Sequence, residues 1–138
     1  MTQVLTYQPR HFAGIDQLWS AVFPNDPPRN RADQAIPAKL ALHDDLLLVA
    51  ENAAGEVVGT IMAGWDGHRG WLYAVAVDPG EQRGGIGRTL VQAALDRLAS
   101  LGCGKVNLQV REGNEAVAAF YRQLGFSVEP RISMGKAL

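Results

Sequence analysis

The hydrophobic positions of this chain switch between a period of two and a period of three to four, and each switch predicts an element boundary. Residues 4–7 read as a short strand. Pro9 then suits a helix entrance, and Phe12, Ile15, Leu18, Trp19 and Val22 recur at helical spacing, which predicts a first amphipathic helix. Pro24, Pro27 and Pro28 withdraw backbone donors and bias the residues before them away from helix, so residues 23–28 form a loop. A second helix is expected over 32–42, starting late or kinking at Pro37, which breaks the hydrogen-bond ladder. Residues 46–51 and 57–64 are apolar, β-branched runs, and the Asn52-Ala53-Ala54-Gly55 link between them suits a β-hairpin. After the turn at 65–70, residues 71–77 supply a third strand of this meander.

Beyond the polar turn at 78–84, Ile86, Leu90, Ala94 and Leu98 form one helical stripe with Val91 and Leu95 beside it, and Gly102 is the natural stop. Val106, Leu108 and Val110 alternate with Asn107 and Gln109, the period of a strand with one buried face. Asn114 suits the N-cap of a last helix carrying Val117, Phe120, Tyr121 and Leu124, which Gly125 ends. Residues 126–128 and 132–134 are expected to close the sheet as two short strands. The fold class is α/β (α+β): a mixed, mostly antiparallel central sheet of about six to seven strands, flanked by about four helices.

Length and composition narrow this picture. With 138 residues, 47% hydrophobic and 20% charged, the chain reads as one folded domain, 1–138. Thirteen Lys and Arg against fourteen Asp and Glu leave a net charge of −1, no field for a dedicated nucleic-acid binder. The only cysteine, Cys103, cannot form an internal disulfide and is expected to pack rather than react, which points to a reducing, cytoplasmic setting. Residues 1–10 lack the apolar core of a signal peptide, and no apolar run is long enough for a membrane helix, so no membrane partner is expected. His11, His43 and His68 stand at no ligand spacing, so no metal is expected.

The stretch richest in chemistry runs from Val75, Ala76 and Val77 through Asp78-Pro79-Gly80-Glu81-Gln82-Arg83-Gly84-Gly85-Ile86-Gly87-Arg88. Three glycines stand where a helix begins. Amides of a first helical turn have no intrahelical acceptor, the helix dipole is positive there, and missing side chains admit close approach. Arg83 and Arg88 add positive charge, so a diphosphate is a natural occupant. A tight turn built for its own sake is the plainer alternative. Two other phosphate motifs fail: neither Gly104-Lys105 nor Gly135-Lys136 has P-loop context, and Leu90 stands where a dinucleotide fingerprint needs its third glycine.

Gln82-x-x-Gly85-x-Gly87, placed after Val75-Ala76-Val77-Asp78-Pro79, resembles the acetyl-coenzyme A motif of the GNAT superfamily of N-acetyltransferases. Leu108-Gln109-Val110-Arg111, then Asn114, Tyr121 and Leu124-Gly125-Phe126, is similar to the C-terminal half of bacterial members. The turn at 64–70 further resembles the small bacterial YpeA-like subgroup. The resemblance implies a GNAT-like sheet and acetyl-coenzyme A as co-substrate. It implies that Val75, Ala76 and Val77 offer strand-edge groups to the pantetheine arm. The pyrophosphate would rest on the amides of Gln82, Arg83, Gly84, Gly85, Ile86, Gly87 and Arg88. Asn114 would lie near the pantetheine, and Tyr121 near the sulfur, as proton donor to the leaving thiolate. In such sites an amine attacks the thioester directly, so catalysis is orientation plus proton management.

One departure matters. Many relatives carry Glu where this chain has Gln109, and an amide has no accessible basic pKa. His68, Asp66, Glu112 or a water are the candidates for the base, with Asp66, His68 and Gln109 also placed on the substrate side. Trp19, Phe23, Asp26 and Arg29, on the first helix and the proline-rich loop, are candidates for selecting the acceptor, a small-molecule amine or a peptide amine. A homodimer is left open. The rival to an N-acetyltransferase is a module that senses acyl-coenzyme A without turnover; a structural partner protein with a vestigial loop is a third reading.

Overall fold

The computed structural model describes residues 1–82 and 84–138; Arg83, expected at the pyrophosphate, lies outside the described residues. The chain divides into two compact units, Met1–Leu108 and Gln109–Leu138.

The first unit is built on a five-stranded sheet. Its strands are β1 (Gln3–Thr6), β2 (Leu47–Glu51), β3 (Val57–Trp65), β4 (Gly70–Val77) and β5 (Val106–Asn107), ordered as in the chain. The first three pairings are antiparallel; β4 and β5 run parallel. A parallel pair needs a crossover, and α3 (Ile86–Ser100) supplies it. α1 (Phe12–Val22) and α2 (Ala32–Leu40) precede β2. Ile15, Leu18 and Trp19 of α1 and Ala32 and Ile36 of α2 pack with Leu47, Val49 and Ala76 of the sheet in one buried cluster. On α3 the expected stripe holds, because Ile86, Leu90, Val91, Ala94 and Leu98 are all buried. Gly59 leaves the room for it: a Cβ there would meet Leu90 and Ile86. The neighbouring Thr60 instead meets Trp19 of α1, so the helices cover both faces of β3. That is why β2, with every residue buried, shows no polar alternation.

α2 runs through Pro37 without starting late. A proline removes only its own donor from the ladder, and burial of Ala32 and Ile36 holds the helix against that loss. At the corner between β1 and α1, three polar side chains are packed together. The Gln8 amide donates to His11 Nδ1 at 2.9 Å, which leaves the ring proton on Nε2, 2.8 Å from Glu51 Oε2. Arg10 donates to the same carboxylate, and this bond in particular holds Glu51 below the usual carboxylate range.

The second unit carries α4 (Glu115–Gln123), and Asn114 caps it, its side chain accepting the Val117 amide at 3.3 Å. The sheet differs from expectation here. It has five strands among the described residues, not six to seven. The strand expected over 106–110 ends at Asn107, and neither 126–128 nor 132–134 forms a strand. A strand exists by pairing, and Pro130 removes a donor between the two segments. Val128, Ile132 and Met134 are accordingly exposed.

Candidate active site

β4 carries an irregularity at its middle. Its register with β3 pairs Ala63 with Leu72 and Met62 with Tyr73, then resumes with Thr60 against Ala76. Ala74 and Val75 thus stand opposite Ile61 alone, which defines a β-bulge. Ala74 has a φ of 49°, a left-handed conformation that an alanine adopts at a cost of order 1 kcal/mol. Two buried side chains meet it: Trp19 Nε1 donates to Thr60 Oγ1 at 2.8 Å, and Thr60 Oγ1 donates to the Ala74 carbonyl at 2.9 Å. The other edge of β4 is also unusual. It pairs with β5 only at Gly70 and Trp71. Among the described residues no strand pairs the rest of that edge, which includes Val75, Ala76 and Val77.

The strand runs directly into the glycine loop. Asp78 Oδ1 accepts the Gly80 amide at 2.8 Å and closes a 3-10 turn at Pro79–Glu81. Gln82 Nε2 reaches back to the Val77 carbonyl at 3.3 Å, tying the loop to the strand end. Gly85 caps α3 with a φ of 77° and only open space where a side chain would point, so the conformation, not crowding, calls for glycine. Among the described residues the first i→i−4 bond at this helix start is from Thr89 to Gly85, at 3.0 Å. The amides of Ile86 and Arg88 therefore have no i−4 partner among the described residues, and with Gly87 they lie at the positive end of the helix dipole. Arg88 is exposed. The Gly85 cap, the early amides and the unpaired strand edge together fit a diphosphate joined to an extended arm with amide groups of its own.

The acetyltransferase (GNAT) family model matches residues 12–126, most of the chain and parts of both units. The chain belongs to the GNAT acetyltransferase family. An acetyltransferase of Pectobacterium atrosepticum is 40% identical over 111 residues, 80% of this chain and 78% of the relative. Among solved structures, glucosamine-6-phosphate N-acetyltransferase from Arabidopsis thaliana superposes with a TM-score of 0.76 at 22% identity, covering 99% of this chain and 98% of that one. AAC(6′)-Iy, bound to the bisubstrate analogue CoA-S-monomethyl-acetylneamine, gives a TM-score of 0.80 at 16% identity, covering 100% and 99%. At these identities the structural likeness concerns the fold.

In this GNAT chain the residues read from the sequence fall into three groups. Val75 to Val77 and the loop at 82–88, Arg83 aside, form one continuous stretch at the end of β4. Asn114, Tyr121 and Gln109 lie in the second unit. Tyr121 is buried, its ring edge-on to Phe120 at 5.0 Å and Phe126 at 5.6 Å, and burial pushes its phenol up to about 12. Gln109 is exposed and donates to Ser133 Oγ. Asp66 and His68 form the third group, in the turn before β4. Asp66 Oδ1 accepts the His68 and Arg69 amides at 2.8 and 2.9 Å; these bonds, Arg69 first, hold its carboxyl below the usual range. The carboxylate thus organises its own turn. His68 is exposed at the opposite end of β4 from the glycine loop, and the eight residues between put about 20 Å between the two ends. Glu112 is exposed in the second unit.

Sequence reasoning missed Thr60 and Ala74. A lone threonine within a buried apolar strand was a usable signal for the first; nothing in the sequence marks the second. It also missed the second role of Trp19, whose indole N–H serves the bulge. Among the described residues no group of three or more His, Cys, Asp or Glu is placed to hold a metal ion, and no helix is long and apolar enough to cross a membrane.

Proposed function

We propose that this chain moves an acetyl group from acetyl-coenzyme A to a primary amine by direct attack, working as one catalytic domain over residues 1–138. The observation that carries the reading is the continuity of the unpaired β4 edge with the glycine-capped start of α3. When bound, acetyl-coenzyme A supplies an activated thioester. The amides from Gln82 to Arg88 would hold its diphosphate, and the edge at Val75, Ala76 and Val77 would align the arm as an added strand, with Asn114 nearby. Tyr121, whose raised pKa keeps it protonated, would donate a hydrogen bond to the departing sulfur. With the amide of Gln109 engaged and non-basic, and Asp66 committed to its turn, His68, Glu112 or a water is left to carry the proton from the attacking amine out to solvent. The family match, which spans both units, supports treating them as one domain.

The acceptor is a cationic amine. A cleft of about 330 Å³ between α1 and the proline-rich loop is lined by Phe12, Trp19 and Phe23 together with Asp16, Asp26, Asp33 and Arg31, three carboxylates against one guanidinium, so its lining is net acidic. Aromatic faces and carboxylates are the groups that recognise an ammonium. Arg29, the fourth residue expected there, is not among its lining residues. Small-molecule amines fit this volume better than a folded protein surface, and the single cysteine fits work in the cytoplasm.

Calorimetry with acetyl-coenzyme A, followed by thiol release against polyamines, amino acids, aminoglycosides and peptides, tests the proposal. Binding with acceptor-dependent release supports it; absence of binding refutes it. The engaged Gln109 favours a second reading, an acyl-coenzyme A sensor, which predicts binding with no release against any acceptor.

A further inference from the structure

We propose that Trp19 and Thr60 are positioning residues for acyl transfer, setting the β4 bulge to which the pantetheine arm aligns. The inference rests on the reading that acetyl-coenzyme A lies along β4.

The sheet does not need the bulge. Side chains alternate along a strand, so four residues apart they share a face. Leu72 pairs with Ala63 and Ala76 pairs with Thr60, and 63 and 60 point to opposite faces of β3. The bulge is the extra residue that reconciles these registers. Without it a ladder one residue shorter would place Leu72 and Ala76 as they are now. Yet the chain keeps Ala74 left-handed and commits two side chains to it. Thr60 is 0% exposed and Trp19 4%, so neither hydrogen bond is exchanged with water, and loss of either leaves a buried polar group unpaired. The threonine hydroxyl has one proton. Because Trp19 Nε1 can only donate, that proton is directed to the Ala74 carbonyl. Trp19 also lines the cleft proposed for the acceptor, so one chain of contacts runs from the cleft wall to the strand edge.

The test compares Thr60→Val, Thr60→Ser and Trp19→Phe with the wild type in calorimetric titrations of acetyl-coenzyme A and of ADP, which carries the diphosphate without the arm. Thr60→Val is expected to weaken acetyl-coenzyme A about tenfold while leaving ADP within twofold, Trp19→Phe to do the same more mildly, and Thr60→Ser to restore wild-type affinity. Equal loss of both ligands means general damage and overturns the inference, as does unchanged acetyl-coenzyme A affinity in Thr60→Val. If Thr60→Val does not fold, Trp19→Phe decides on the same criteria. A wild type that binds ADP but not acetyl-coenzyme A removes the functional reading, and this inference with it. A wild type that binds acetyl-coenzyme A beside variants that bind it equally well removes the inference alone.

Discussion

Gly59→Ala is the smallest change that tests how closely α3 rests on the sheet. A Cβ at Gly59 would stand 2.9 Å from Leu90 Cδ1, 3.1 Å from the Ala76 carbonyl oxygen and 3.1 Å from Ile86 Cγ2. Ordinary contact begins near 3.4 Å, so the neighbours must retreat by about 0.3 to 0.5 Å. None is free to do so alone: Leu90 is fully buried, Ile86 is 5% exposed, and the third atom is backbone of β4. Overpacking of this kind costs typically about 1–3 kcal/mol. Replacing a strand glycine recovers roughly 0.5–1 kcal/mol of chain entropy. With central values of about 2 kcal/mol lost and about 0.75 recovered, the expected net loss is a little over about 1 kcal/mol, a fall in Tm of roughly 3–6 °C for a domain of this size. Because Ile86 opens α3, the displacement reaches the helix start as well, and acetyl-coenzyme A binding should weaken in parallel. Urea unfolding followed by far-ultraviolet circular dichroism measures the first effect and calorimetry the second. Gly104→Ala, with nothing within 4 Å of its Cβ, is the control and should stay within about 0.5 kcal/mol. A Gly59→Ala midpoint equal to that of the control would refute the close packing of helix on strand.

Tyr121→Phe should retain acetyl-coenzyme A affinity and lower kcat by about tenfold or more, and with a pKa of about 12 the wild-type phenol should give no basic limb in kcat below pH 10. Unchanged turnover in the variant would exclude it as donor. Glu51 has a folded pKa below its ordinary 4.5, so its contribution to stability is complete above that value and lost as pH falls through the lowered one; the stability gap between wild type and Glu51→Gln should therefore close on acidification from pH 5 towards 2. A gap that widened over that range in urea titrations would contradict the ion pair. Asp33→Asn should raise KM for a cationic acceptor severalfold without altering acetyl-coenzyme A affinity, and equal KM for charged and uncharged acceptors would remove the cleft from substrate recognition.

Most elements were legible because their signals are local: the α3 stripe, the turn residues of the hairpin around Asn52 and the Asn114 cap each follow from local period and local chemistry. The glycine loop was legible for the same reason, since Gly85 answers to its own φ. What escaped depends on partners distant in sequence. The bulge at Ala74 exists only in relation to the register of β3, and its Trp19–Thr60 support joins residues 41 apart. The closing segment misled in the opposite direction, for 126–128 and 132–134 have strand composition without a strand to pair with. Gln109 carries an amide, which has no accessible basic pKa, and its hydrogen bond to Ser133 is a feature that no spacing rule carries.

The register of β4 has a consequence for how this chain tolerates insertions and deletions. In most strands the loss of one residue inverts the facing of everything beyond it and is lethal to the fold. Here the strand already contains its one surplus residue, so a deletion at Ala74 would leave Leu72 and Ala76 on their present faces and the sheet able to form. Among single-codon deletions within β4, this one should yield folded protein, separating in one genetic step the chain's capacity to fold from the binding proposed along that edge.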